Sequence, residues 1–147
     1  MSIRFASQNI DFELPMPQQV RQWVAEVVRR RGKQVGNISY LFCDDDHILE
    51  VNRQFLDHDT YTDIITFDYV AADLISGDIL ISIDRVGENA LSFGVPFEQE
   101  LHRVLIHGVL HLLGQGDKST DEAAEMRRQE ADALALWEQM FHVEHTA

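Results

Sequence analysis

His107 and His111 stand four residues apart in a segment, Glu98 to Leu113, whose Leu101, Val104, Leu105, Ile106, Val109, Leu110, Leu112 and Leu113 make it apolar nearly all round. On a helix that spacing puts both rings on one face with Cβ atoms roughly 5–6 Å apart, close enough for both to reach one ion through Zn–N bonds of ~2.0–2.1 Å. A third ligand is then needed. Gly114 ends the apolar run and Gly116 permits a tight reversal, so Asp117, six residues beyond His111, can fold back toward the same ion. His107, His111 and Asp117 thus make a candidate His-His-carboxylate centre with an open fourth position. A zinc ion there lowers the pKa of its bound water toward ~7, making it a nucleophile or base for hydrolysis. An isolated pair of this kind is more often two hydrogen-bonded core histidines. Here two imidazoles in an apolar helix would each be expensive to bury unpaired, and the glycine-broken turn ending in a carboxylate gives all three residues a common reason.

The elements that must position this centre read as follows. Pro17 opens a helix carrying Val20, Trp23, Val24, Val27 and Val28, and Gly32 stops it. Asn37 to Phe42 alternates as a strand, and Asp44, Asp45 and Asp46 cap a helix through Phe55. Ile64 to Tyr69 and Asp78 to Ser82 are two further strands, joined by the short connection Val70 to Ser76 with no helix between them. That connection fits an adjacent antiparallel pair, whereas the strand-helix-strand order before it fits a crossover. Helices follow from about Ile83 to Gly94, from near Pro96 to Gly114, and from the capping-box pattern Ser119-Thr-Asp-Glu122 to Phe141. The expectation is an α+β fold, a small mixed sheet packed with helices around a central metal-binding helix. Residues 1–141 are expected to form a single domain and 142–147 a mobile tail.

Composition narrows the chemistry. A single cysteine, Cys43, excludes an intramolecular disulfide framework and any multi-cysteine metal site, leaving His, Asp and Glu as ligands. No apolar run approaches the ~18 residues of a membrane helix, and the first sixteen residues lack the pattern of a signal peptide, so a cytoplasmic location without a membrane partner is expected. The net charge of −13 has the wrong sign for holding nucleic acid mainly by phosphate neutralisation. The local cluster Arg29, Arg30, Arg31 and Lys33 reads as a helix C-terminus favouring positive charge. His47, in a helix's first turn, is expected to be exposed. His102 need not face His107, and His142 and His145 fall in the polar tail.

The spacing His-x3-His-x5-ligand is that of metzincin zinc proteases, except that the glutamate they use as general base is replaced by Gly108. The metal geometry survives and the peptidase chemistry does not. His107-Gly-Val-Leu-His-Leu-Leu-Gly114 instead resembles the signature of the YbeY family of rRNA-maturation endoribonucleases. Thr62-Asp-Ile-Ile-Thr-Phe67 and Gly77-Asp-Ile-Leu-Ile-Ser82 are similar to two further family segments, so the likeness spans about Ile38 to Met126. It implies a zincin-like fold, one zinc ion (another divalent transition metal being the alternative), and single-strand-specific endoribonuclease activity. The implied role is maturation of small-subunit rRNA and ribosome quality control. The implied partners are rRNA and the small ribosomal subunit or its precursors, and a monomer or weak oligomer is expected. The chain departs from the family at two places. Asp117 stands for a third histidine, making the site less positive. Leu56 stands for a commonly basic residue after Asn52 and Phe55, which leaves His58 as a candidate donor to phosphate. Together with the missing base at Gly108 and the acidic charge, Leu56 motivates a rival reading, a non-catalytic ribosome-assembly factor with a structural metal. The zincin-like resemblance also implies that the strand from Thr62 to Phe67 runs beside the metal helix and places Thr62 or Asp63 near the site.

Overall fold

The computed structural model describes residues 2–56 and 62–141. Its elements are β1 (Ser2–Ser7), α1 (Pro17–Arg30), β2 (Gln34–Cys43), α2 (Asp45–Phe55), β3 (Ile64–Asp68), β4 (Leu74–Ser82), α3 (Ile83–Phe93), α4 (Phe97–Leu112) and α5 (Thr120–Phe141). The four strands form one mixed sheet in the order β1-β2-β4-β3. β1, β2 and β4 run parallel, as crossover connections require, and β3 pairs antiparallel to β4. The α+β class and the mixed sheet agree with the sequence reading. Among the described residues no helix is long and apolar enough to cross a membrane.

Two assignments need correction. Strand β1 is absent from the sequence reading, because a six-residue segment with Ser and Arg gains its identity only from its partner, Ser2 pairing Asn37 through Ser7 pairing Phe42. Strand β4 begins at Leu74, four residues before the expected Asp78, so the connection from β3 is a turn closed by mutual backbone hydrogen bonds of Ala71 and Leu74.

Alternation on β2 divides the core. Ile38, Tyr40 and Phe42 join the large cluster with Trp23, Val24, Leu101, Leu105 and Ile106, while Cys43 joins a smaller one with Ile48, Val51, Ile65 and Leu80 beneath α2. The large cluster is tied by satisfied polar groups. Trp23 Nε1 donates to the Ala133 carbonyl at 2.7 Å, linking α1 to α5, and the Tyr40 hydroxyl donates to the Leu105 carbonyl at 3.0 Å, linking β2 to α4. Burial pushes the Tyr40 phenol above its ordinary range, so it stays a donor.

Helix α4 runs through this core with Leu101, Leu105, Ile106, Val109 and Leu110 fully buried. Each such side chain contributes up to roughly 1.5–3 kcal/mol. The cost of Gly108 inside the helix, about 1 kcal/mol against alanine, is small beside that sum. Gly108 is also required by space: a Cβ there would lie 2.9 Å from Ile79 Cγ2 and 3.0 Å from Ile64 Cδ1. Position 108 therefore faces the sheet, so no general base can stand there.

Candidate metal centre

His107 and His111 project from the last two turns of α4 with ring centroids 4.6 Å apart and planes at 81°. Just past the C-cap Leu113 comes Gly114, whose φ of +99° suits glycine and turns the chain back. That residue makes the reversal; Gly116 supplies room instead, since a Cβ there would meet the Glu122 carboxylate at 2.5 Å. Glu122 belongs to the capping box seen in the sequence. Its backbone N–H donates to Ser119 Oγ at 3.1 Å and its Oε1 accepts from the Ser119 N–H at 3.2 Å, fixing where α5 begins. Between helix and box the turn is braced by Gln129 Nε2, which donates to Gln115 Oε1 at 2.9 Å.

This turn sets Asp117 Oδ2 3.4 Å from Nε2 of His107 and 3.4 Å from Nε2 of His111. The ligand atoms of all three residues lie within 4.8 Å of one another. Hydrogen bonds from N–H to oxygen run ~2.7–3.2 Å, so 3.4 Å is long for two such bonds. It matches two ligands of one tetrahedral ion, whose bonds of ~2.0–2.2 Å place neighbouring donors roughly 3.3–3.5 Å apart. Two imidazoles and a carboxylate suit zinc or a similar divalent transition metal. The donors are partly exposed, with side-chain accessibilities of 15%, 27% and 37% for His107, His111 and Asp117, so the cluster opens toward solvent on one side. The lone Cys43 is no competitor: burial first, then the nearby Asp44, Asp45 and Asp84, push its thiol up to about 12.

His58 and the tail histidines His142 and His145 lie outside the described residues. His47 is half-buried rather than exposed, its backbone N–H donating to the Asp44 cap at 2.8 Å. Leu56 caps the C-terminus of α2. Asp63 stands outside the three-residue cluster and reaches it through other groups: its Oδ2 lies 3.7 Å from Arg103 Nη2, and Arg103 in turn pairs with Glu130. Glu130, on α5, approaches His107 Nδ1 at 2.5 Å. Neither Glu130 nor Arg103 carries a sequence signal, because an acid and a base 27 residues apart become neighbours only when α5 packs on α4. The nearest hint is that Glu130 falls at helical spacing from Met126 and Ala133, on the buried face of α5.

The fold and site define a class of mixed α+β protein whose buried helix presents, at its C-terminal end, a His-His-Asp cluster able to hold a metal ion. The comparisons are more particular. The family model described as Endoribonuclease YbeY matches residues 3–138. The chain is 52% identical over 134 residues to Endoribonuclease YbeY of Porphyromonas gingivalis, covering 91% of this chain and 89% of that one. It is 58% identical over 114 residues to Endoribonuclease YbeY of Phocaeicola vulgatus, covering 78% and 83%. The solution structure of TM1509 from Thermotoga maritima superposes with a TM-score of 0.63 at 26% identity over 99% of both chains. The chain belongs to the Endoribonuclease YbeY family.

Proposed function

We propose that the protein is a single-domain, metal-dependent endoribonuclease spanning residues 1–141, cutting single-stranded rRNA during maturation and quality control of the small ribosomal subunit in the cytoplasm. Family membership carries the reaction class. The observation that carries the metal dependence is the position of Asp117 Oδ2, 3.4 Å from both histidine Nε2 atoms. His107, His111 and Asp117 would hold one ion, zinc being the best fit to the donors. A divalent ion at this place supplies Lewis acidity toward a phosphodiester oxygen and acidifies water near neutral pH. The chain's own part is to hold those donors in place, keep one side open to an RNA strand and bury the other against α5. His58 is assigned to the phosphate that Leu56 no longer serves, because it follows within two residues.

The rival, a non-catalytic assembly factor, loses one of its supports. The base missing at Gly108 is no lost function, since that position packs on Ile64 and Ile79. Metal analysis of the purified protein, with an RNA cleavage assay on wild type and His111→Ala, tests the proposal. One bound ion in wild type, with cleavage lost on chelation and in the variant, is expected. Cleavage by wild type that survives complete metal removal would overturn it.

A further inference from the structure

A chain of charged side chains, buried at Glu100 and Glu130 and half-buried at Arg103 and Asp63, runs from the candidate metal centre to the start of β3, and we propose that it is the positioning device that presents His107 to the ion. The inference rests on reading His107, His111 and Asp117 as the metal centre. Glu130 Oε2 lies 2.5 Å from Nδ1 of His107. A carboxylate oxygen against Nδ1 pairs with the tautomer that carries its N–H there, and that tautomer turns the Nε2 lone pair outward. That lone pair then faces Asp117 Oδ2 at 3.4 Å. Two acceptors so placed repel unless a cation stands between them.

Glu130 does not stand free. Arg103 Nη1 donates to both of its oxygens at 3.3 Å, and Arg103 is itself gripped by Glu100, Nε to Oε1 at 2.8 Å and Nη2 to Oε2 at 2.6 Å. Nη2 also lies 3.7 Å from Asp63 Oδ2, which accepts from Asn89 Nδ2 at 3.3 Å. One guanidinium therefore joins α3, α4, α5 and the entry to β3. Its bond to Glu100 and its attraction to Glu130 hold it above its ordinary basicity despite burial. Glu100 and Glu130 are both buried, and one arginine balances one of them. Glu130 meets Arg103 at 3.3 Å and His107 Nδ1 at 2.5 Å, so its shortest contact is the one to the ring. A network that served only to join helices would have no need of that contact. Removal of a carboxylate behind a metal-bound histidine typically costs about 10–100-fold in metal affinity.

The test uses the full chain as wild type, Glu130→Gln and Arg103→Lys. The ring nitrogens of His107 are read by NMR before metal is added, and zinc affinity is measured by competition with a chelator. Wild type should carry the His107 proton on Nδ1 without metal. Glu130→Gln should lose that preference and bind zinc roughly 10–100-fold more weakly. Arg103→Lys, which keeps the charge and loses the fork, should show a smaller loss in the same direction. Undiminished zinc affinity with an unchanged His107 signature in Glu130→Gln would overturn the proposal, and undiminished affinity in Arg103→Lys would remove Arg103 and Asp63 from the device. A wild-type His107 protonated on Nε2 overturns it without any variant, which decides the matter even where the substitutions do not fold. If wild type and His111→Ala bind zinc equally, the reading of the centre itself has failed instead.

Discussion

His102 and His107 lie on the same helix, five residues apart, and the two ends of α4 treat them oppositely. The N-terminal half gives His102 rings: its centroid is 4.2 Å from that of Trp137 and 5.6 Å from that of Trp23, and only 7% of the residue is exposed. The C-terminal half gives His107 a buried carboxylate on one nitrogen and a partly exposed one on the other. Burial holds His102 below its ordinary value, outweighing the opposing pull of Glu98 and Glu138. A ring of that kind is a packing surface. An imidazole becomes a ligand only when its second nitrogen is spoken for and its first has somewhere open to point.

The comparison breaks most sharply at the C-terminal half. His111→Ala should abolish stoichiometric metal binding, while His102→Ala should leave zinc affinity at the wild-type level and lower the unfolding midpoint; calorimetric titration reads the first and urea unfolding the second. Asp117→Asn should weaken metal binding by at least roughly tenfold, since a neutral amide replaces the anionic donor. Unchanged affinity there would send the search for a third ligand to His58.

Gly108→Ala probes the face between the two halves. A methyl group at 2.9–3.0 Å from Ile79 and Ile64 must push α4 off the sheet. The expected cost is about 1–3 kcal/mol in denaturant unfolding, offset in part by alanine's better helix propensity. The smallest effect belongs to pH. Because the folded value of His102 lies below the ordinary 6.5, the unfolded chain takes up its proton first as pH falls. The stability tied to this group is complete above pH 6.5 and declines as pH drops from there toward the folded value. His102→Phe should remove that decline, seen as a wild-type-minus-variant difference in urea midpoints that falls as pH drops through that window.

The parts legible in the sequence were those whose cause is local. An i, i+4 pair, a glycine that ends a helix and a capping box each act within a turn or two, and Ser119 with Glu122 makes both bonds that the pattern implies. Strand β1 was invisible because its partner lies about 35 residues on, from Asn37 to Phe42. Glu130 and Arg103 are hidden for the same reason, 27 residues apart in the chain and joined only when α5 packs on α4. A polar residue on a helix reads as solvent-facing unless one knows which neighbour will cover it.

The turn from Gly114 to Asp117 has a bearing on how the ion is kept. Its shape is held by Gln129 on Gln115 and by the Ser119–Glu122 pair, none of which involves the three donors. Only five residues separate His111 from Asp117, and a clasp across so short a loop removes little freedom from a chain already fixed at both ends. An ion held there would thus be a tenant of a finished room rather than a rivet in the frame. It should leave and be replaced while the protein stays folded, and its identity would follow from which divalent metal is free in its surroundings and how tightly each binds.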